Sequence, residues 1–151
     1  MNKYIELALK EARSGMLDGK GGPFGAVVVK NGEVISSECN EVLSSNDSTA
    51  HAEILAIRRA SEKLGTYDLS GCVIYATGEP CPMCLSAIIW ANIKTVYHAL
   101  SAEDAEKIGF RDKKIYRHLR GEEKIVEIEK VESKGAGELY DEYIRLGKKI
   151  Y

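Results

Sequence analysis

No run of apolar residues in the chain approaches the roughly 20 needed to cross a bilayer as a helix, and the first residues carry no apolar core of the kind that marks a secretory leader. The expectation is a soluble, cytoplasmic protein. An overall basic field is also missing: 21 Lys and Arg stand against 23 Asp and Glu, for a formal charge of −2. Nothing in that balance concentrates nucleic acid or anionic lipid, so a small neutral ligand is the easier partner. Internal repeats, low-complexity tracts and linkers are lacking too, and 151 residues suffice for one domain with a core of its own. The glycine-rich GKGGPFG lacks the Gly-Lys-Ser/Thr ending of a phosphate-binding loop and reads as a tight entry to a strand.

What is present alternates between helical and extended patterns. Residues 2–17 place Tyr4, Ile5, Leu7, Ala8, Ala12 and Met16 at spacings of three and four, as in a helix. Two β-branched runs flank Asn31-Gly32, a strong signal for a two-residue hairpin. A second helix is expected after Ser48 or Thr49 as cap, followed by a buried strand CVIYA, a proline-opened helix PMCLSAIIWAN and a strand KTVYHAL. That alternation predicts strands with parallel neighbours and helices on the faces of the sheet. Further on, SAEDAEKIG predicts a short helix, KIVEIEKV an edge strand and GELYDEYIRLGKK a terminal helix.

The chemistry concentrates in EPCPMC, residues 79–84. Two cysteines three apart, Cys81 and Cys84, suit a disulfide, a redox couple or a metal site. Without secretory context, and with a full-size core available, a metal site or buried thiols are favoured over a disulfide, and a redox couple would leave His-Ala-Glu at 51–53 unexplained. At the start of a helix the two residues lie on one side, about 300° apart in rotation, and the unpaired amides there favour thiolates. His51 in TAHAE, at the start of the preceding helix, is the candidate third ligand. Glu53 stands about 200° from it on an ideal helix, a neighbour rather than a ligand. A zinc ion with two thiolates and one imidazole is formally neutral, which weakens its pull on a bound water. The helix ends and Glu53 as proton acceptor would have to assist in making a hydroxide nucleophile, the logic of hydrolytic deamination.

HAE at 51–53 with PCPMC at 80–84 resembles the signature of the zinc nucleoside and nucleobase deaminases. The resemblance implies an α/β chain with a three-layer α/β/α cytidine-deaminase-like fold, a mixed five-stranded sheet, Zn²⁺ held by His51, Cys81 and Cys84, and Glu53 as catalytic proton shuttle. GGPFGAVVVKNGEVI, SSNDSTAHAE, LGTYDLSGC, EPCPMCLSAIIWA and GFRDKKIY further resemble the bacterial guanine deaminases over most of residues 1–117. That likeness implies a purine base as substrate, guanine before guanosine, adenine, cytosine or an aminotriazine. It implies substrate contacts by Asn40, Phe24 and Asp112, and a homodimer in which the segment from about residue 130 to 151 is exchanged and Tyr151 closes the partner's pocket; Ala52, beside His51, and Trp90, at the end of the cysteine helix's apolar face as core or pocket wall, are further candidate substrate contacts. A tRNA adenosine deaminase shares the same two blocks but calls for a basic surface. A noncatalytic zinc module is the reading from another class. Cys72 and Cys39 are expected as packing thiols, His98 and His118 as structural or solvated residues.

Overall fold

The computed structural model describes Asn2–Tyr151. Its order is α1 (Lys3–Leu17), β1 (Gly25–Lys30), β2 (Glu33–Cys39), α2 (Val42–Ser45), α3 (Ala52–Leu64), β3 (Cys72–Gly78), α4 (Pro82–Trp90), β4 (Thr95–Leu100), α5 (Ala102–Lys107), α6 (Asp112–Leu119) and α7 (Lys134–Arg145). Among the described residues no helix is long and apolar enough to cross a membrane.

The sheet runs β2-β1-β3-β4. β1 pairs antiparallel with both β2 and β3, and only β3 and β4 run parallel. The sheet is therefore mixed, as expected, but it has four strands and not five. The missing strand is KIVEIEKV. Its alternation is real, yet residues 124–131 are exposed and form no ladder with β4, so alternation without a partner leaves the backbone unpaired. The Asn31-Gly32 hairpin is present, with φ of 50° and 80° at its two central residues.

β1 explains the three layers. Its apolar run has no polar face because both faces are covered. Ala26 and Val28 enter a core with Ala52, Ala56, Ala60, Ile74 and Ile88, on the side of α3 and α4. Val27 and Val29 pack instead with Ala8, Tyr4 and Leu7 of α1. Small residues let the layers approach closely. Ala52, Ala56 and Ala60 form the buried stripe of α3, and the Ser36 hydroxyl donates to the Ala56 carbonyl at 2.7 Å. Cys72 is 3 % exposed and belongs to this core, the packing role expected of it.

Gly25 marks the closest approach of α1 to the sheet: a Cβ there would collide with the Ala8 carbonyl oxygen and meet the Ala12 nitrogen at 2.9 Å. Both are backbone atoms and cannot rotate away. Gly25→Ala is expected to lower stability by about 1–3 kcal/mol, the range for overpacking. Urea unfolding followed by circular dichroism checks this, and an unchanged midpoint would show that α1 can shift freely.

Candidate metal centre and ligand cavity

The centre is built from two helix beginnings. Cys81 is the N-cap of α4, with Pro82 at the first helical position, where its missing N–H costs nothing. His51, and not Ser48 or Thr49, is the N-cap of α3, in an extended conformation with φ −69° and ψ 152°. Neither cap makes a side-chain hydrogen bond to its own helix. Both side chains are thereby free to point at each other. Because His51 lies outside the helical turn, the 200° separation from Glu53 does not apply, and the two can share one site.

His51 Nδ1 lies 3.6 Å from Cys81 Sγ and 3.5 Å from Cys84 Sγ. Tetrahedral zinc, with Zn–N of about 2.0–2.1 Å and Zn–S of about 2.3 Å, requires neighbouring N and S atoms about 3.6 Å apart. The geometry fits. One ligand atom from each of these three residues falls within 4.8 Å of the others, and no fourth His, Cys, Asp or Glu joins the group among the described residues. A closed structural site needs four protein ligands, whereas three leave a position for a reacting molecule. All four cysteines are free thiols, which removes the disulfide alternative.

The charges around this triad are tuned by proximity. A hydrogen bond with Cys84 holds Cys81 well below the usual thiol range, with His51 adding to the effect. The same contact, together with burial, pushes Cys84 upward. Contact with Cys81 raises His51. Glu53, 8 % exposed, is pushed up to about 7 by burial. A carboxyl near that value can both take and return a proton at neutral pH.

Beside the triad opens a cavity of about 460 Å³, lined by His51, Glu53, Asn40, Phe24 and Asp112 among others. Three of the six expected substrate contacts therefore lie on its wall. Asn40 is 4 % exposed, and its side-chain oxygen accepts the Val42 N–H at 3.1 Å, which leaves the amide nitrogen as a donor for a ligand. Gly21 makes room for it, since a Cβ there would overlap the Asn40 side-chain oxygen. Asp112 opens α6, and burial raises its pKa, with the Cys81 charge adding to the effect.

The other three expected contacts are placed differently. Ala52 has its methyl wholly inside the core, so only its backbone remains for a ligand. Trp90 ends α4 at 68 % exposure, outside the cavity, because the apolar stripe of that short helix turns inward at Cys84 and Ile88 instead. Tyr151, 78 % exposed, lies with its ring 6.1 Å from Tyr67 and 6.4 Å from Trp90 of its own chain, away from its own cavity. Cys39 is buried behind Gly15 and does not line the cavity. The imidazoles of His98 and His118 bond to nearby backbone, as structural residues do.

Phe110 and Glu79 line the cavity as well, and the sequence patterns had not singled them out. Phe110 meets Phe24 edge-to-face at 4.7 Å, and a Cβ on Gly22 would press 2.9 Å from both rings. The signal for it lies two positions before Asp112 in GFRDKKIY, where an aromatic follows a glycine.

Residues 1–100 match the family described as the cytidine and deoxycytidylate deaminase zinc-binding region. The chain belongs to this family. It is 48 % identical over 116 residues to the guanine deaminase of Bacillus subtilis, covering 77 % of this chain and 74 % of that one. The X-ray structure of the B. subtilis guanine deaminase superposes with a TM-score of 0.93 at 40 % identity, covering 100 % of this chain and 99 % of that one. A tRNA-specific adenosine deaminase of Aquifex aeolicus is 44 % identical over 98 residues, 64 % of each chain. Another solved structure, in complex with 2,6-diaminopurine, matches at 37 % identity and a TM-score of 0.68 over 71 % of this chain and 60 % of that one.

Losing one ligand should remove the metal. Cys84→Ser is expected to weaken zinc binding by more than the about 100-fold seen when only an outer partner is lost. Glu53→Gln should keep one zinc per chain. Metal analysis after dialysis decides, and loss of zinc from Glu53→Gln would make Glu53 a ligand.

Proposed function

We propose that the chain catalyses the hydrolytic deamination of guanine to xanthine and ammonia. The observation that carries this reading is the extent of the likeness: the guanine deaminase structure matches from end to end, through α6, α7 and the C-terminal residues. The solved structure of a tRNA:A34 deaminase matches only 66 % of the chain, with a TM-score of 0.64. The net charge of −2 also suits a small neutral base better than a polyanion.

The residues divide the work by position. His51, Cys81 and Cys84 would hold the zinc, which when bound supplies a Lewis acid that lowers the pKa of water. Glu53, with a carboxyl poised near neutrality by burial, accepts a proton on that side of the cavity and delivers it to the purine. The ring nitrogen beside the aminated carbon receives one proton and the departing amine another, so that water is added and ammonia leaves. Asn40 presents an N–H donor to the polar edge of the base and Asp112 a carboxylate to its N–H groups. Phe24 and Phe110, set edge-to-face, provide an apolar wall against which the base can pack.

The C-terminal segment completes this reading. We infer a homodimer in which residues from about 130 to 151 cross to the partner and Tyr151 closes the partner's pocket. Two features support it: β4 is an edge strand with Tyr97 and Leu100 half exposed, and α7 carries Leu139, Tyr140, Tyr143 and Ile144 with no buried residue. An apolar helix and an open edge in one chain favour a second copy. Four cysteines without a disulfide among them, two of them needed as thiolates, suit the cytoplasm, and guanine as substrate would place the chain in purine metabolism.

Ammonia release from the zinc-loaded protein should occur with guanine and exceed that from guanosine, adenine, cytosine and aminotriazines. Glu53→Gln should lower it at least about 10²-fold, as expected for loss of a general acid/base. Rapid release from another base would reassign the substrate, salt-sensitive tRNA binding would favour the adenosine reading, and unchanged turnover in Glu53→Gln would end the proposed proton path. Light scattering should find a dimer, and removal of residues after Leu146 should cut guanine turnover. Full activity in that shortened chain would remove Tyr151 from the site.

A further inference from the structure

The two residues ahead of the first cysteine form a clasp. The Glu79 N–H donates to the Leu100 carbonyl at 2.8 Å, and the Glu79 carboxylate accepts the N–H of Ala102, the first residue of α5, at 3.1 Å. The next carbonyl, that of the buried Pro80, accepts the hydroxyl of Tyr116 on α6 at 3.2 Å. Cys81 follows immediately. The backbone that presents a metal ligand is therefore also the anchor of α5 and α6.

Asp112 and Tyr116 are four residues apart and so share one face of α6. Asp112 reaches the cavity at the first turn, and Tyr116 holds the second turn to Pro80. We propose that Tyr116 is a positioning residue, whose hydroxyl on the Pro80 carbonyl sets the distance between Asp112 and the metal ligands and thereby the orientation of the purine. This rests on Asp112 being a substrate contact. The α5–α6 pair does not depend on the hydroxyl, because Lys113 bridges Glu103 and Glu106, each at 3.4 Å. Tyr116→Phe keeps the ring and these ion pairs, and removes only the tie to the metal loop.

The test is a double-mutant cycle on guanine turnover with Tyr116→Phe and Asp112→Asn. Tyr116→Phe alone is expected to lower kcat/KM about tenfold, chiefly through KM, the effect of one lost hydrogen bond. Zinc should stay at one per chain. In the Asp112→Asn background the same change should cost less than about twofold, because the group it positions is gone. An equal factor in both backgrounds, loss of zinc, or an unchanged kcat/KM in Tyr116→Phe would overturn the proposal. If Asp112→Asn alone is silent, Asp112 is no contact and the proposal falls with it. If Asp112→Asn is damaging and Tyr116→Phe is not, Asp112 stands and Tyr116 alone is excluded. Amide exchange gives a second readout: Asp112–Leu119 should exchange faster in Tyr116→Phe while α1 and α3 are unchanged, and equal protection of α6 would count against the tie.

Discussion

Two helices that begin facing each other, each capped by a residue that does not cap, are the constraint on which the site depends. An N-cap side chain ordinarily turns back to bond the first amides of its helix. His51 and Cys81 turn outward instead, and their ring nitrogen and sulfur come within 3.6 Å. The amides they leave unpaired supply partial positive charge at the point where thiolate and carboxylate charge accumulates. Capping a helix and offering a ligand atom to a metal are thus opposed uses of the same two positions, and neither side chain caps. The cavity, the raised carboxyl of Glu53 and the placement of Asp112 all lie around this meeting point.

Much of this was legible in the residues. The metal ligands could be read because their chemistry is carried by residue type and spacing: a cysteine pair three apart behind a proline, and a histidine ahead of a separate helix. The hairpin could be read because Asn31-Gly32 is a local signal that needs no partner. The core assignment of β1 follows from an uninterrupted apolar run. In each case the information is local.

The failures were non-local. KIVEIEKV has strand alternation, but a strand exists only where another backbone pairs with it. Trp90 ends an apolar helix, and the rotation of that helix, which residue type alone does not give, points it away from the cavity of its own chain. Ser48 and Thr49 have the side chains of a helix cap, but α3 starts at His51, where another segment approaches. The role of Phe110 comes from Phe24, 86 positions earlier in the chain, and from Gly22, which leaves space for the rings.

The alanine stripe of α3 has a meaning apart from packing. Ala52, Ala56 and Ala60 act as a gauge block that sets how deeply the helix rests on the sheet, and so how far His51 can reach toward the cysteines. A larger side chain at Ala56 or Ala60 would lift the helix like a shim and tilt its beginning, one or two turns away from any metal ligand. Ala56 and Ala60 therefore bear on the placement of His51 although their methyl groups lie in the core, away from the cavity. Tolerance of substitution on this helix should follow the height of the side chain more closely than its hydrophobicity.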